Sequence, residues 1–115
     1  MDKMSDRKRI VTEQEVHDAV GFLRDEAANA GRAKARLVRA GHMIKHIEAL
    51  ETVAGEGSMA LRQAQARASK RYLDAIEEEA KAAGAYEEMR SLREAAAMLV
   101  ETWRSEQANY RAIRV

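Results

Sequence analysis

Ala54-Gly55-Glu56-Gly57-Ser58-Met59 is the strongest interruption in a 115-residue chain that otherwise favours helix throughout. A glycine just past a helix end suits the left-handed cap, so Gly55 is expected to close the first arm. Ser58 suits the N-cap of a second. The spacing predicts a turn over 55–58 between two helical arms. Upstream, apolar residues recur at Val16, Val20, Leu23, Ala27, Ala30, Leu37 and Ile44. Those steps of three and four trace one stripe along a helix. Lys34 and Gly41 fill two positions of the same register, and beyond them the stripe drifts to Ile47, Leu50 and Ala54. Drift of that kind follows from 3.6 residues per turn. Thr12 and Glu15 form a capping-box pattern, flanked by Val11 and Val16 as a hydrophobic staple. One helix is therefore expected over 12–54, with Gly31 as its weakest point.

Downstream of the turn, a short helix over 59–68 and a long one over 70–113 are expected, with one continuous helix as the alternative. Tyr72, Ile76, Ala80, Ala83 and Tyr86 repeat at helical spacing. Met89, Leu92, Ala96, Leu99, Trp103, Tyr110 and Ile113 then form a heptad stripe that only Glu106 interrupts. Gly84 is the expected kink. Leu92, Leu99, Trp103 and Tyr110 are the expected core or interface anchors. Glu106 reads as the end of the core or as a device that selects register or partner.

Composition narrows the class. There is no Pro and no Cys, and 23 of the hydrophobic residues are Ala. Alanine buries little area, which excludes a thick aromatic core. The lack of Cys excludes disulfides and thiolate sites. No apolar run approaches membrane-spanning length, and the first ten residues lack the apolar centre of a signal peptide. The expectation is an all-α protein of the cytoplasm. It consists of a polar, disordered tail at 1–10 and a single helical domain at 11–115. The domain is a long antiparallel, coiled-coil-like helical hairpin with a short third helix after the turn. Two Ala-rich stripes cover each other poorly, so a homo-oligomer is also expected.

The net charge is only +1, but the layout of charge is uneven. Residues 32–46 hold Arg32, Lys34, Arg36, Arg39, Lys45 and two His, with no acid; residues 62–71 hold Arg62, Arg67, Lys70 and Arg71, again with no acid. Folding at the turn gathers these cations toward one end, where they would attract phosphates or an acidic partner. A plainer reading pairs Asp74, Glu77, Glu78 and Glu79 with Arg32, Arg36 and Arg39 across the hairpin. Lys45, Arg62, Arg67, Lys70 and Arg71 have no obvious acidic partner in the sequence. They are the expected contacts for DNA, a DNA-bound protein or another acidic partner, with Tyr72 placed to stack on a base.

Catalytic and metal chemistry find little footing. His42 and His46 share a helical face, but no third ligand lies near them. Ser58, Ser69, Ser91 and Ser105 lack a local base, and Glu87 and Glu88 diverge around the helix. Gly55-Glu56-Gly57 lacks the strand and Lys of a phosphate loop. No enzyme activity, cofactor or metal is expected.

Glu101-Thr102-Trp103-Arg104-Ser105-Glu106-Gln107-Ala108-Asn109-Tyr110-Arg111-Ala112 resembles the C-terminal end of a group of small, uncharacterised, Ala/Glu/Arg-rich helical proteins of tailed bacteriophages and prophages. Trp103, Arg104 and Ser105 carry the likeness, and Ala33–Arg39 is similar to the basic helix that precedes in that group. The group tends to have a His-Pro break before its final helix, where this chain has Ala68-Ser69-Lys70-Arg71. The resemblance implies a phage accessory protein of the early, DNA-processing region, acting by binding in the bacterial host cytoplasm. The leading function is DNA replication or recombination, through the basic surface near the turn; the alternatives are inhibition of a host protein through a helical face and structural assembly.

Overall fold

A computed structural model describes residues 10–114. Of the tail expected at 1–10, all but Ile10 lies outside those residues. The described residues form α1 (Glu13–Asp25), α2 (Ala27–Ala54), α3 (Met59–Ala68) and α4 (Lys70–Arg114), with no strand among them. No helix among the described residues is long and apolar enough to cross a membrane.

The capping box at the start of α1 is complete. The Glu15 backbone N–H donates to Thr12 Oγ1 at 3.1 Å, and the Thr12 N–H donates to Glu15 Oε1 at 3.0 Å. The first arm is interrupted, but at Glu26 and not at Gly31, which lies inside α2. The reason is a side chain from elsewhere in the sequence. Arg93 Nη1 donates to the Leu23 carbonyl at 3.0 Å. That oxygen is the acceptor for residue 27 in an unbroken helix, and a guanidinium that takes it disturbs the ladder locally.

The turn differs in one detail from its expected form. Gly57, with φ of 100°, is the residue in the left-handed region, while Gly55 donates to the Thr52 carbonyl at 3.3 Å without adopting it. Ser58 caps α3 as expected, accepting the Leu61 N–H. Ser69 then separates α3 from α4 without help from Gly or Pro. Its hydroxyl donates to the Ala66 carbonyl at 2.8 Å and accepts the Tyr72 N–H at 3.1 Å, closing one helix and opening the next. Gly84 lies inside α4 and breaks nothing.

Contacts divide the chain into two units. The first holds, among the described residues, those up to Ala28 and those from Arg90 onward. In it Val11, Ala19 and Ala96 are buried. The Glu106 carboxylate accepts the backbone N–H groups of Ile10 and Val11, both at 3.0 Å. Partner numbers fall from 106 to 93 as the residue number rises from 10 to 23. Glu106 therefore sets register: it provides the hydrogen bond that the N–H of buried Val11 would otherwise lack.

The second unit is Asn29–Met89. Ala40, Ile47, Ala66, Ala75 and Ala82 are buried in it. Lys34 lies over the Tyr86 ring at 5.0 Å, and Arg36 Nη2 lies 2.9 Å from Glu78 Oε1.

In both units alanines take most of the buried positions. Several larger residues of the expected stripes stay out: Val20, Leu50, Ile76 and Leu92 are exposed. A helix-to-helix contact made by methyl groups covers only a narrow strip, and the wider apolar face extends past its edges. Leu92 thus does not serve as a core anchor within the chain, whereas Leu99, Trp103 and Tyr110 are half-buried.

These contacts can be checked by substitution. Glu106→Ala leaves the Val11 N–H buried without a partner and lowers the unfolding free energy by about 2 kcal/mol, read by denaturant titration. A Cβ at Gly31 meets open space, whereas one at Gly57 falls 2.8 Å from Leu61 Cδ2 on a strained backbone. Gly31→Ala therefore raises the melting temperature and Gly57→Ala lowers it, each by the equivalent of roughly 1 kcal/mol.

Candidate functional site

The second unit brings the predicted cations onto α2, α3 and α4. α2 carries Lys45, α3 carries Arg62 and Arg67, and α4 opens with Lys70 and Arg71. Three of the five are ion-paired, contrary to their reading as cations without acidic partners. Arg67 Nε lies 3.1 Å from Glu48 Oε1, Arg71 Nη1 lies 3.9 Å from Glu51 Oε1, and Lys70 Nζ lies 3.7 Å from Asp74 Oδ2. The physical reason is the break at Ser69. With α3 as a separate helix, Arg67 comes level with Glu48, a pairing that no helical spacing within one segment reveals. Glu48 and Glu51 are the acidic partners that the sequence pattern missed. Their one signal was position, since they lie close to the turn on the upstream arm.

Lys45 is exposed and makes no ion pair among the described residues. Arg62 behaves differently. Its stem packs against Gly55, with Cγ 3.2 Å from the place a Cβ would occupy, and its Nε is buried without a hydrogen-bond partner. Its aliphatic portion thus closes the turn, as long cationic side chains often do over small residues. Across residues 42–75 five cations accompany four carboxylates, namely Glu48, Glu51, Glu56 and Asp74. That stretch is close to neutral.

The plainer pairing across the arms holds for Arg36, which meets Glu78. It does not hold for Arg32, which donates to Asn29. Arg39 makes no hydrogen bond or ion pair among the described residues. His42 and His46 are both exposed. No group of three His, Asp or Glu among the described residues is placed to hold a metal. Tyr72 is half-buried beside the α4 N-terminus.

Two apolar grooves stand out, one in each unit. In the second unit, Ala40, Met43, Ile47 and Ala75 floor a groove of about 330 Å³. Arg36 and Arg39 form its lip on α2, and Arg71, Asp74 and Glu78 form its lip on α4. In the first unit, Ala19, Phe22, Leu92, Ala95, Ala96 and Leu99 floor another of about 330 Å³, edged by Glu15 and Asp18. Trp103 is half-buried, and its indole Nε1 is buried with no hydrogen-bond partner.

The chain matches no protein-family model, no curated protein and no solved structure.

The cations of the ion pairs at the turn are largely exposed, so each pair contributes little to stability. Arg67→Ala and Lys70→Ala each lower the unfolding free energy by under about 1 kcal/mol in denaturant titrations at moderate salt.

Proposed function

We propose that the protein is a non-enzymatic helical assembly protein, an antiparallel helical hairpin that works by associating with copies of itself. One observation carries this reading: large apolar side chains of α4 lie exposed in both units. Leu73 is 53% exposed, Met98 69% and Leu92 49%, while the buried positions hold mostly alanine. Apolar surface, where it gathers into a patch, serves as a site for another protein. The two grooves add concave apolar area to it.

The resemblance to phage and prophage helical proteins supports a place among phage accessory proteins acting in the host cytoplasm. Assembly in a DNA-processing setting is compatible with that resemblance. Direct DNA contact through Lys45, Arg62, Arg67, Lys70 and Arg71 has less support, because three of these cations are already paired and the region is nearly neutral. Inhibition of a host protein would use the same apolar faces, but nothing in their chemistry selects a foreign partner over a second copy.

Sedimentation or light scattering across a hundredfold range of concentration tests the reading. The expected result is a mass that rises to a small multiple of the chain mass. A strict monomer at every concentration overturns it. If the same protein instead binds DNA with an affinity that collapses between low and moderate salt, the cation surface is the functional one.

A further inference from the structure

We infer that the groove on Asn29–Met89 is the docking surface for a second copy, with the two grooves facing each other about a twofold axis that runs along the helices. This rests on the self-association proposed above and adds where the copies meet and in which orientation.

Charge on the groove's two lips is the starting point. The lip on α2 is basic, with Arg36 and Arg39; the lip on α4 carries Asp74 and Glu78, together with Arg71, which Glu51 holds at 3.9 Å. Arg36 pairs with Glu78 across the groove at 2.9 Å, which places residues 36 and 78 at one level and residues 39 and 74 close to level one turn further on. Arg39 has no partner among the described residues. Asp74 holds Lys70, at 3.7 Å, and its side chain is 58% exposed. The groove therefore has an unmatched cation on one lip and an available carboxylate on the other, at similar height, with Met43 on the apolar floor.

Symmetry then fixes the orientation of the second copy. A twofold axis parallel to the helices lays α2 of one copy over the α4 stretch of the other, without changing level along the axis. Arg39 then meets the partner's Asp74, and the partner's Arg39 meets Asp74, as an isologous interface requires. A twofold axis across the helices at the height of Arg39 would instead stack α2 on α2, with arginine facing arginine, and like charges brought together oppose binding. The charged lips meet first and close over the two apolar floors, giving a four-helix arrangement in which Met43 is shielded from water.

Arg39→Glu and Asp74→Arg, made separately and then mixed, test this. Each variant alone places like charges at both symmetry-related contacts, so its dissociation constant rises by about tenfold or more. In a mixed dimer the carboxylate introduced by the first substitution faces the guanidinium introduced by the second. The other contact keeps its natural pairing of Arg39 with Asp74. Association in the equimolar mixture is expected to return to within about threefold of the unaltered protein. Because neither variant supplies the rescue by itself, a purely intramolecular role would not produce it.

A natural protein that stays monomeric overturns both this interface and the assembly function. A natural protein that associates while both variants associate equally well overturns this surface alone. So does weakening in the single variants that mixing fails to reverse.

Discussion

Where the helices of this protein press together, the side chains between them are mostly alanines. Ala19 and Ala96 are buried in one unit, and Ala40, Ala66, Ala75 and Ala82 in the other. A methyl group lets two backbones approach closely, but its burial contributes only about 0.8 kcal/mol, against roughly 1.5–3 kcal/mol for a Leu or Ile. Close approach and thin burial arise from the same choice of residue. The helices can lie against each other with little steric demand, yet their contact is too narrow to cover the leucines and valines on either side. Both the modest core and the open apolar faces follow from this.

With so little packing to define alignment, polar contacts carry much of the register. The Glu106 carboxylate holds the N–H groups of Ile10 and Val11, and Arg93 holds the Leu23 carbonyl. Arg36 and Glu78 align the second unit. Alanine stripes slide easily, because one methyl resembles the next. Long, charged side chains reaching for single backbone or carboxylate groups do not tolerate such a slip. The interaction with Leu23 also leaves a mark on the backbone: α1 ends within one turn of the carbonyl that Arg93 takes.

The cations near the turn show how folding can cancel a charge pattern. In the sequence they form acid-free runs. In the structure Glu48 and Glu51 arrive opposite Arg67 and Arg71, and Asp74 reaches Lys70 from the next turn. Phosphate attraction depends on the net field, and five cations among four carboxylates leave little of it. The groove lips differ in that Arg39 stays unmatched among the described residues. A single unmatched charge at the edge of an apolar surface matters more for choosing an orientation than for strength of binding.

Much of the local architecture was legible in residue order, because its causes lie within a few residues. Helical composition, the Thr12–Glu15 capping box, the turn after Ala54, the Ser58 cap and the α3–α4 boundary near Ser69 all depend on neighbours within one helical turn. Glu106 stood out as an anomaly in a heptad stripe, although its ligands could not be named. What only the tertiary structure decided involves partners far apart in the chain: the break at Glu26 caused by Arg93, the neutralising of Arg67 by Glu48, and the burial of Ala96 in place of Leu92. Periodicity shows which face of a helix is apolar, but not which few degrees of that face a neighbour covers. That choice depends on how closely two backbones approach, and contacts across 70 or 95 residues set it here.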